Sequence, residues 1–267
     1  MKTLFSILLI GLIVLSCEEV VELDLNTAPP RLAIDARLTK SQNELTVQYI
    51  KLSLTRGFYN TQTTPVSNAN VQLLDLTNTT TYNFEHDNAN PGDYFNLDFT
   101  PNLNTDYKLQ ISYNNQIYES SVEQLIPTVP IDQLVQGDGT LFDEDEKEVL
   151  VTITDNGNRN DYYIFDFGYN LFLATKDEFY QGNTFTFSYF YDELEAGDTA
   201  EISVYGADEA YFNFMTAIIE QTEENGDPFE TTPATVRGNL FNTTDPDHYP
   251  MGYFSIGETY SSSLLLE

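Results

Sequence analysis

Short stretches in which apolar and polar residues alternate make up most of the chain between residue 30 and residue 126. They cover residues 31–38, 45–54, 70–76, 81–84, 94–99, 107–113 and 116–120. Alternation with a period of two is typical of half-buried strands. About seven such strands with turns every 8–12 residues are typical of an immunoglobulin-like fold. The pattern therefore predicts an immunoglobulin-like β-sandwich over residues 30–126.

A second segment, residues 131–267, follows a break at Pro127 and Pro130. Further alternating stretches predict a β-rich domain, and residues 208–224 predict a single helix within it. Asp208 is a suitable N-cap. Tyr211, Phe214 or Met215, and Ile218 fall at helical spacing and form an apolar stripe. We interpret this stripe as core packing against a sheet, with a partner-binding face as the alternative.

The first seventeen residues have the pattern of a lipoprotein signal peptide. Lys2 is followed by an apolar stretch over residues 4–14, which is too short to span a bilayer as a helix. The stretch ends in Leu15-Ser16-Cys17, which resembles a lipobox. We therefore predict cleavage after residue 16, lipidation (palmitate included) of Cys17, and a tether over residues 17–29. An ordinary signal peptide with a chance cysteine is the alternative.

The residues around this cysteine also bear on location and on the fold. Glu18-Glu19 follow it directly, and acidic residues at this place resemble the surface-export signal of Bacteroidota lipoproteins. We expect an outer-membrane protein facing the cell exterior, although any polar tether would look the same. Since Cys17 is the single cysteine, the fold contains no internal disulfide.

Charge narrows the classes of partner. The chain carries 42 acidic and 11 basic residues, for a net charge of −31. Nucleic-acid binding needs a basic surface, so we exclude it. The hydrophobic content of 41% with 18 Tyr and 18 Phe is sufficient for a packed core, so the chain is not a disordered acidic tail.

The sequence contains few of the residue combinations that enzymes use. His86 and His248 lie in polar turn sequences, and there is no Gly-x-Ser-x-Gly elbow and no glycine-rich phosphate loop. Zinc ligation by His and Cys fails on residue count. Paired carboxylates are unavoidable among so many acids, but no tryptophan is present to stack on a sugar ring. We predict a protein without catalytic residues and keep a carboxylate-dependent hydrolase as an alternative.

We predict no cofactor, with calcium as the one ligand that the sequence leaves open. Oxygen-rich turns suit this hard cation. The candidates are Asp155, Asn158 and Asp161 in one turn, Asp138 with Asp143 and Asp145, and Asp245 with Asp247. None completes an EF-hand, because Gly157 and Arg159 stand where side-chain oxygens are needed. Solvated loops are the simpler interpretation.

Several motifs in this order resemble an uncharacterised Bacteroidota lipoprotein family, domain of unknown function 4249. They are the lipobox with its acidic tether, Tyr118-Glu119-Ser120, the Pro127/Pro130 break, Tyr162-Tyr163, Tyr211-Phe212, Arg237-Gly238-Asn239 and Met251-Gly252-Tyr253-Phe254. The family commonly has leucine where this chain has Met251. The resemblance implies a partner of a TonB-dependent outer-membrane transporter, and it implies no catalytic residues.

Three hypotheses follow for the function. The first is a cell-surface accessory or binding subunit of a TonB-dependent barrel or a related outer-membrane complex. The second is a free-standing structural or adhesive β-protein. The third is the carboxylate-dependent hydrolase, which requires an acid pair lining a pocket.

Overall fold

A computed structural model describes residues 28–41, 48–57, 60, 62–141, 146–192, 194–223 and 235–267. Cys17, the predicted signal peptide and most of the tether lie outside these ranges, as do Asp143 and Asp145. Within the ranges that the structure describes, no helix is long and apolar enough to span a membrane.

The described chain is mainly β-structure with one α-helix, as the alternation predicted. The helix α1 spans Glu209–Glu223, and a short 3-10 helix spans Asp177–Phe179. The strands are β1 (Leu32–Ser41), β2 (Gln48–Leu54), β3 (Thr64–Pro65), β4 (Asn70–Asp75), β5 (Thr80–His86), β6 (Asp93–Asn96), β7 (Tyr107–Tyr113), β8 (Gln116–Ser120), β9 (Ile131–Gln136), β10 (Lys147–Thr154), β11 (Tyr162–Asp166), β12 (Phe172–Lys176), β13 (Thr184–Tyr191), β14 (Thr199–Ala207), β15 (Leu240–Asn242) and β16 (Met251–Leu265).

One large sheet runs through the whole described structure. Its strands follow the order β12-β11-β14-β16-β1-β2-β6-β5-β4-β7-β8-β15, with β3 paired to β2. Strand β5 pairs with β6 at one end and with β4 along most of its length. The sheet therefore folds over at β5 and forms both layers of a first sandwich. A separate three-stranded sheet, β13-β10-β9, forms one layer of a second sandwich.

The core of the first sandwich is built from alternate residues of its strands. In β1 the buried positions are Leu32, Ile34, Ala36 and Leu38, each at most 2% exposed. Burying one such Leu or Ile side chain contributes about 1.5–3 kcal/mol. Residues from the end of the chain also enter this core, since Leu240, Phe254 and Ile256 belong to the same cluster. The first sandwich is thus completed by β15 and β16, which lie outside residues 30–126.

Strand β16 is shared by the two sandwiches. It pairs in parallel with β1 from Met251 to Thr259, and in antiparallel orientation with β14 from Thr259 to Leu265. Residues 253–259 are all buried. The two sandwiches are therefore joined by one continuous backbone ladder.

The core of the second sandwich is aromatic. Phe165 and Phe167 pack against Phe187 and Tyr189 of β13, and the Phe167 and Tyr189 rings stack with centroids 3.7 Å apart. Large rings bury more apolar area per residue than aliphatic side chains do. This explains how a three-stranded sheet covers its part of the large sheet.

Helix α1 packs against the opposite face of the large sheet. The backbone N–H of Tyr211 donates to Asp208 Oδ1 at 2.7 Å, which confirms Asp208 as the N-cap. Tyr211 and Met215 are 7% and 8% exposed and pack in one cluster with Ile164 and Tyr253. The predicted stripe is therefore core packing over its first two turns.

The linker between the sandwiches crosses the sheet at a glycine. The carbonyl oxygens of Ile126 and Pro127 would lie 2.6 and 2.5 Å from a Cβ on Gly206. Ile126 also pairs with β16, because its N–H donates to the Ile256 carbonyl and its own carbonyl accepts from the Glu258 N–H. The linker is thus held by backbone contacts that leave no room for a side chain at residue 206.

Candidate functional site

A row of alternating charges crosses three neighbouring strands on the solvent face of the large sheet. The even-numbered residues of β1 point into the core, so Asp35 and Arg37 point outward. Asp35 lies directly opposite Lys51 of β2, and Lys51 lies directly opposite Asp93 of β6. Directly opposed side chains in antiparallel strands are near neighbours. The register therefore brings an acid, a base and an acid side by side.

Together with Arg37 and Tyr49, these residues line a shallow cleft of about 230 Å³. The ladder between β1 and β2 extends from Leu32–Leu54 to Asp35–Lys51. Beyond this ladder, the Gln48 side chain joins the two strands instead of the backbone. Its amide group donates to the Thr39 carbonyl and accepts from the Thr39 N–H. The cleft lies where backbone pairing gives way to this side-chain bridge.

Arg37 is held in place by groups from the second sandwich. Its Nη2 lies 3.5 Å from Asp166 Oδ2, and its guanidinium carbon lies 4.4 Å from the Tyr205 ring centroid. Burial lowers the pKa of Arg37, but the electrostatic effect of Tyr211, Tyr205 and nearby carboxylates outweighs burial and raises it. The guanidinium is therefore a fixed positive charge at the boundary between the cleft and helix α1.

The charges of the cleft are not paired with one another. Across the described residues, no ion pair within 4.0 Å joins Lys51 to Asp35 or Asp93. One carboxylate oxygen of Asp93 is buried and has no hydrogen-bond partner in the part of the chain that the structure describes. The ammonium group of Lys51 is thus not neutralised by the two carboxylates beside it.

An acid pair therefore does line a cleft, as the hydrolase hypothesis requires. A glycosidase keeps one carboxyl protonated as the general acid, usually by burial in apolar surroundings. Asp35 is exposed, and Lys51 lies between the two carboxylates. This arrangement suits the binding of charged groups better than proton donation.

Of the calcium candidates Asp155, Asn158 and Asp161, the structure brings Asp155 and Asp161 together. The Tyr163 hydroxyl lies 2.5 Å from Asp155 Oδ1 and 3.0 Å from Asp161 Oδ2. The second oxygen of Asp155 accepts from the Gly182 N–H, and that of Asp161 accepts from Arg159 Nε. All four carboxylate oxygens are thus occupied by protein hydrogen bonds.

The protonation of this cluster follows from its geometry. A tyrosine hydroxyl has one proton and can donate to one carboxylate at a time. Burial raises the pKa of Asp161, although Arg159 acts against it. A protonated Asp161 can donate to the Tyr163 oxygen while Tyr163 donates to Asp155. The pKa of Tyr163 is raised by burial and by its hydrogen bond to Asp155.

The other candidates lie apart from this cluster. Asn158 is exposed, and its side chain contacts Asn156. Asp138, Asp245 and Asp247 are exposed as well. Among the described residues, no group of three or more His, Cys, Asp and Glu side chains is arranged to hold a metal ion. His86 packs edge-on against Tyr94, and His248 lies in the turn before β16.

The two closing sequence motifs meet in space. The Asn239 side chain donates to the Phe254 carbonyl and accepts from the Phe254 N–H. Gly252 has φ +100°, and a Cβ there would lie 1.9 Å from the Ile34 carbonyl oxygen. Tyr253 and Phe254 are buried strand residues of the core. These motifs build the fold around β16.

Sequence patterns did not identify the cleft. Asp35, Arg37 and Lys51 lie in the predicted strand segments 31–38 and 45–54, but the alternation does not tell which strand lies beside which. The signal that could have identified the cleft is the scarcity of basic residues. Two of the 11, Arg37 and Lys51, lie on adjacent strands of one sandwich and point outward.

A family model described as domain of unknown function (DUF4249) matches residues 18–263. No curated protein matches the chain in sequence. Among solved structures, the chain is similar to the chicken interferon gamma receptor alpha chain, with 10% identity, 67% of this chain and 88% of that chain covered, and a TM-score of 0.24. It is also similar to the FN1–FN3 domains of chicken CNTN1, with 14% identity, coverage of 68% and 60%, and a TM-score of 0.19.

Proposed function

The chain belongs to the DUF4249 family, and from that premise we propose that it is a lipid-anchored, non-catalytic binding subunit of an outer-membrane complex. The partner that we propose is a TonB-dependent transporter of a Bacteroidota cell, with the protein on the outer surface. The observation that carries this proposal is the lipobox-like sequence ending at Cys17, in front of a body made of two joined sandwiches.

The distance between anchor and body supports this role. Strand β1 starts at Leu32, and the 14 residues between Cys17 and Leu32 can span at most about 50 Å. A body on so short a tether stays at a high effective concentration beside any barrel in the same membrane. Two or three acyl chains on Cys17 would be sufficient for stable anchoring.

The surface of the body also supports a binding role. Tyr169 is 61% exposed, and Phe179 is 91% exposed in the turn before β13. Aromatic side chains are enriched at protein interfaces because they bury large areas at a small cost in conformational entropy. The charged cleft offers a second type of contact on another part of the molecule. Both features suit binding.

A free-standing adhesive protein is the competing function, and a pull-down separates the two. The tagged protein is extracted in mild detergent from native outer membrane, beside a Cys17→Ala variant that cannot be lipidated. Stoichiometric recovery of a TonB-dependent barrel with the wild type supports the proposal. Recovery of the wild-type lipoprotein alone contradicts it and favours the adhesive function.

A further inference from the structure

We propose that the cleft lined by Asp35, Arg37, Tyr49, Lys51 and Asp93 binds a small zwitterion, with the free termini of an amino acid or dipeptide as its charged ends. The inference rests on the proposed binding role, but it does not depend on the transporter. Two positive and two negative side chains line a space of 230 Å³.

The positive side of the cleft fits a carboxylate. The Arg37 guanidinium has five N–H donors. Its one contact with a carboxylate among the described residues, that with Asp166, is long at 3.5 Å. The Tyr205 and Phe172 rings lie 4.4 and 5.7 Å from its guanidinium carbon and restrict its orientation. A pre-oriented guanidinium binds a carboxylate through two parallel hydrogen bonds.

The negative side of the cleft fits an ammonium group. Asp93 has one buried carboxylate oxygen without a hydrogen-bond partner among the described residues. A buried acceptor that lacks a partner costs free energy. A ligand cation beside the Asp93 carboxylate would offset part of that cost through its charge, without contacting the buried oxygen, and Asp35 adds a second negative charge across Lys51.

The balance of charge selects against ions of one sign. A simple anion is attracted by Arg37 and Lys51 but repelled by Asp35 and Asp93, and the reverse holds for a simple cation. A ligand with both charges meets an attractive partner at each end, and specificity arises from such a difference. The cleft volume lies below the range of about 300–1,000 Å³ that is usual for drug-sized ligands. A small ligand is therefore the matching size.

The half-exposed Tyr49 ring gives the cleft a wall that can contact the apolar part of such a ligand. Its centroid lies 6.3 Å from that of Phe95 on the neighbouring strand, so the ring is supported from one side. An aromatic wall beside charged groups is a common composition for sites that bind small polar molecules.

The test is isothermal titration of the full-length lipoprotein in detergent with the dipeptide Ala-Ala. The same dipeptide with an acetylated amino terminus, and with an amidated carboxyl terminus, supplies the chemical controls. We expect the free dipeptide to bind and each blocked form to bind about tenfold or more weakly, since a hydrogen-bonded charge is lost in each case.

Matched variants assign the two ends. Asp93→Asn should weaken binding of the free dipeptide about tenfold or more and leave binding of the amino-blocked form unchanged. Arg37→Gln should weaken binding of the free dipeptide about tenfold or more and leave binding of the carboxyl-blocked form unchanged. Glu85→Gln, in the separate 300 Å³ cleft that Phe95 also lines, is the control and should bind as the wild type does. A thermal melt of each variant establishes that it is folded.

Three results would overturn the inference. They are no binding of the free dipeptide, equal binding of free and blocked forms, and wild-type affinity in both Asp93→Asn and Arg37→Gln. A failure here leaves recovery of a transporter in the pull-down unaffected, so this inference and the proposed function fail separately.

Discussion

The side-chain amide of Asn239 takes the place of a neighbouring strand for Phe254. Its nitrogen donates to the Phe254 carbonyl at 2.8 Å, and its oxygen accepts from the Phe254 N–H at 2.9 Å. The nitrogen also donates to Glu123. On this edge of β16, the Asn239 side chain hydrogen-bonds to the backbone of residue 254, and the Ile126 backbone hydrogen-bonds to residues 256 and 258. From residue 259 onward, β16 pairs with β14. Three different segments thus cover one strand edge in succession.

Removing this amide should destabilise the fold. Asn239→Ala leaves a backbone N–H and a C=O of Phe254 without partners, and each buried unsatisfied group costs about 1–3 kcal/mol. We expect the free energy of unfolding to fall by about 2–4 kcal/mol in urea denaturation. Asn183→Ala, whose amide makes a single exposed hydrogen bond, is the control. Equal stability of the two variants would contradict this account of Asn239.

A methyl group at residue 206 should force the interdomain linker off the sheet. In Gly206→Ala the new Cβ meets two carbonyl oxygens at 2.5 and 2.6 Å, and such overpacking costs about 1–3 kcal/mol. We also expect faster proteolysis near Pro127. The control is Gly197→Ala, where nothing lies within 4 Å and the cost is about 1 kcal/mol from its φ of +97°. The prediction fails if proteolysis near Pro127 is no faster than in the control.

The buried Asp161 should make stability depend on pH. Burial raises its pKa above the ordinary 3.8, so ionisation costs more in the folded state than in the unfolded state. This unfavourable contribution grows as the pH rises from 3.8 through the folded-state pKa, and it is complete above that pKa. Asp161→Asn removes it. We expect the stability of the variant relative to the wild type to increase from about pH 4 to about pH 7.

Urea denaturation at a series of pH values measures this difference. Asp138→Asn, which changes an exposed carboxyl in a loop, is the matched control against which the pH dependence of Asp161→Asn is compared. If the stability difference for Asp161→Asn does not increase with pH, burial does not govern the titration of this carboxyl.

Calcium should leave the protein unchanged at this cluster. The four carboxylate oxygens of Asp155 and Asp161 already form hydrogen bonds with protein groups, so an ion would have to displace them. We expect no shift of the urea midpoint in millimolar calcium relative to a chelator. A site with micromolar affinity would instead add about 4 kcal/mol, and a Tyr163→Phe variant would show whether the cluster holds it.

Local structure could be predicted well from sequence because it depends on neighbouring residues. The alternation in β1 gave all four buried positions, and the helix predicted over 208–224 is observed at Glu209–Glu223. Strand β12 was missed, because Phe172-Leu173-Ala174 does not alternate and its pairing with β11 decides its conformation.

Pairing between distant segments could not be predicted. Residues 251–256 indicated a strand, but nothing in their pattern shows that the strand continues to Leu265 or that it lies between β1 and β14. The cleft depends on the same information, because Asp35, Lys51 and Asp93 become neighbours through the register of three strands.

The position of β16 has a consequence for the order of events during biosynthesis. Ala33 pairs with Met251, so the first described strand finds its partner more than 200 residues later in the chain. Pairing between residues this distant raises the contact order, which slows folding. The first sandwich lacks a central strand until residues 251–265 have left the ribosome. We therefore expect the first sandwich to remain incomplete until the end of synthesis.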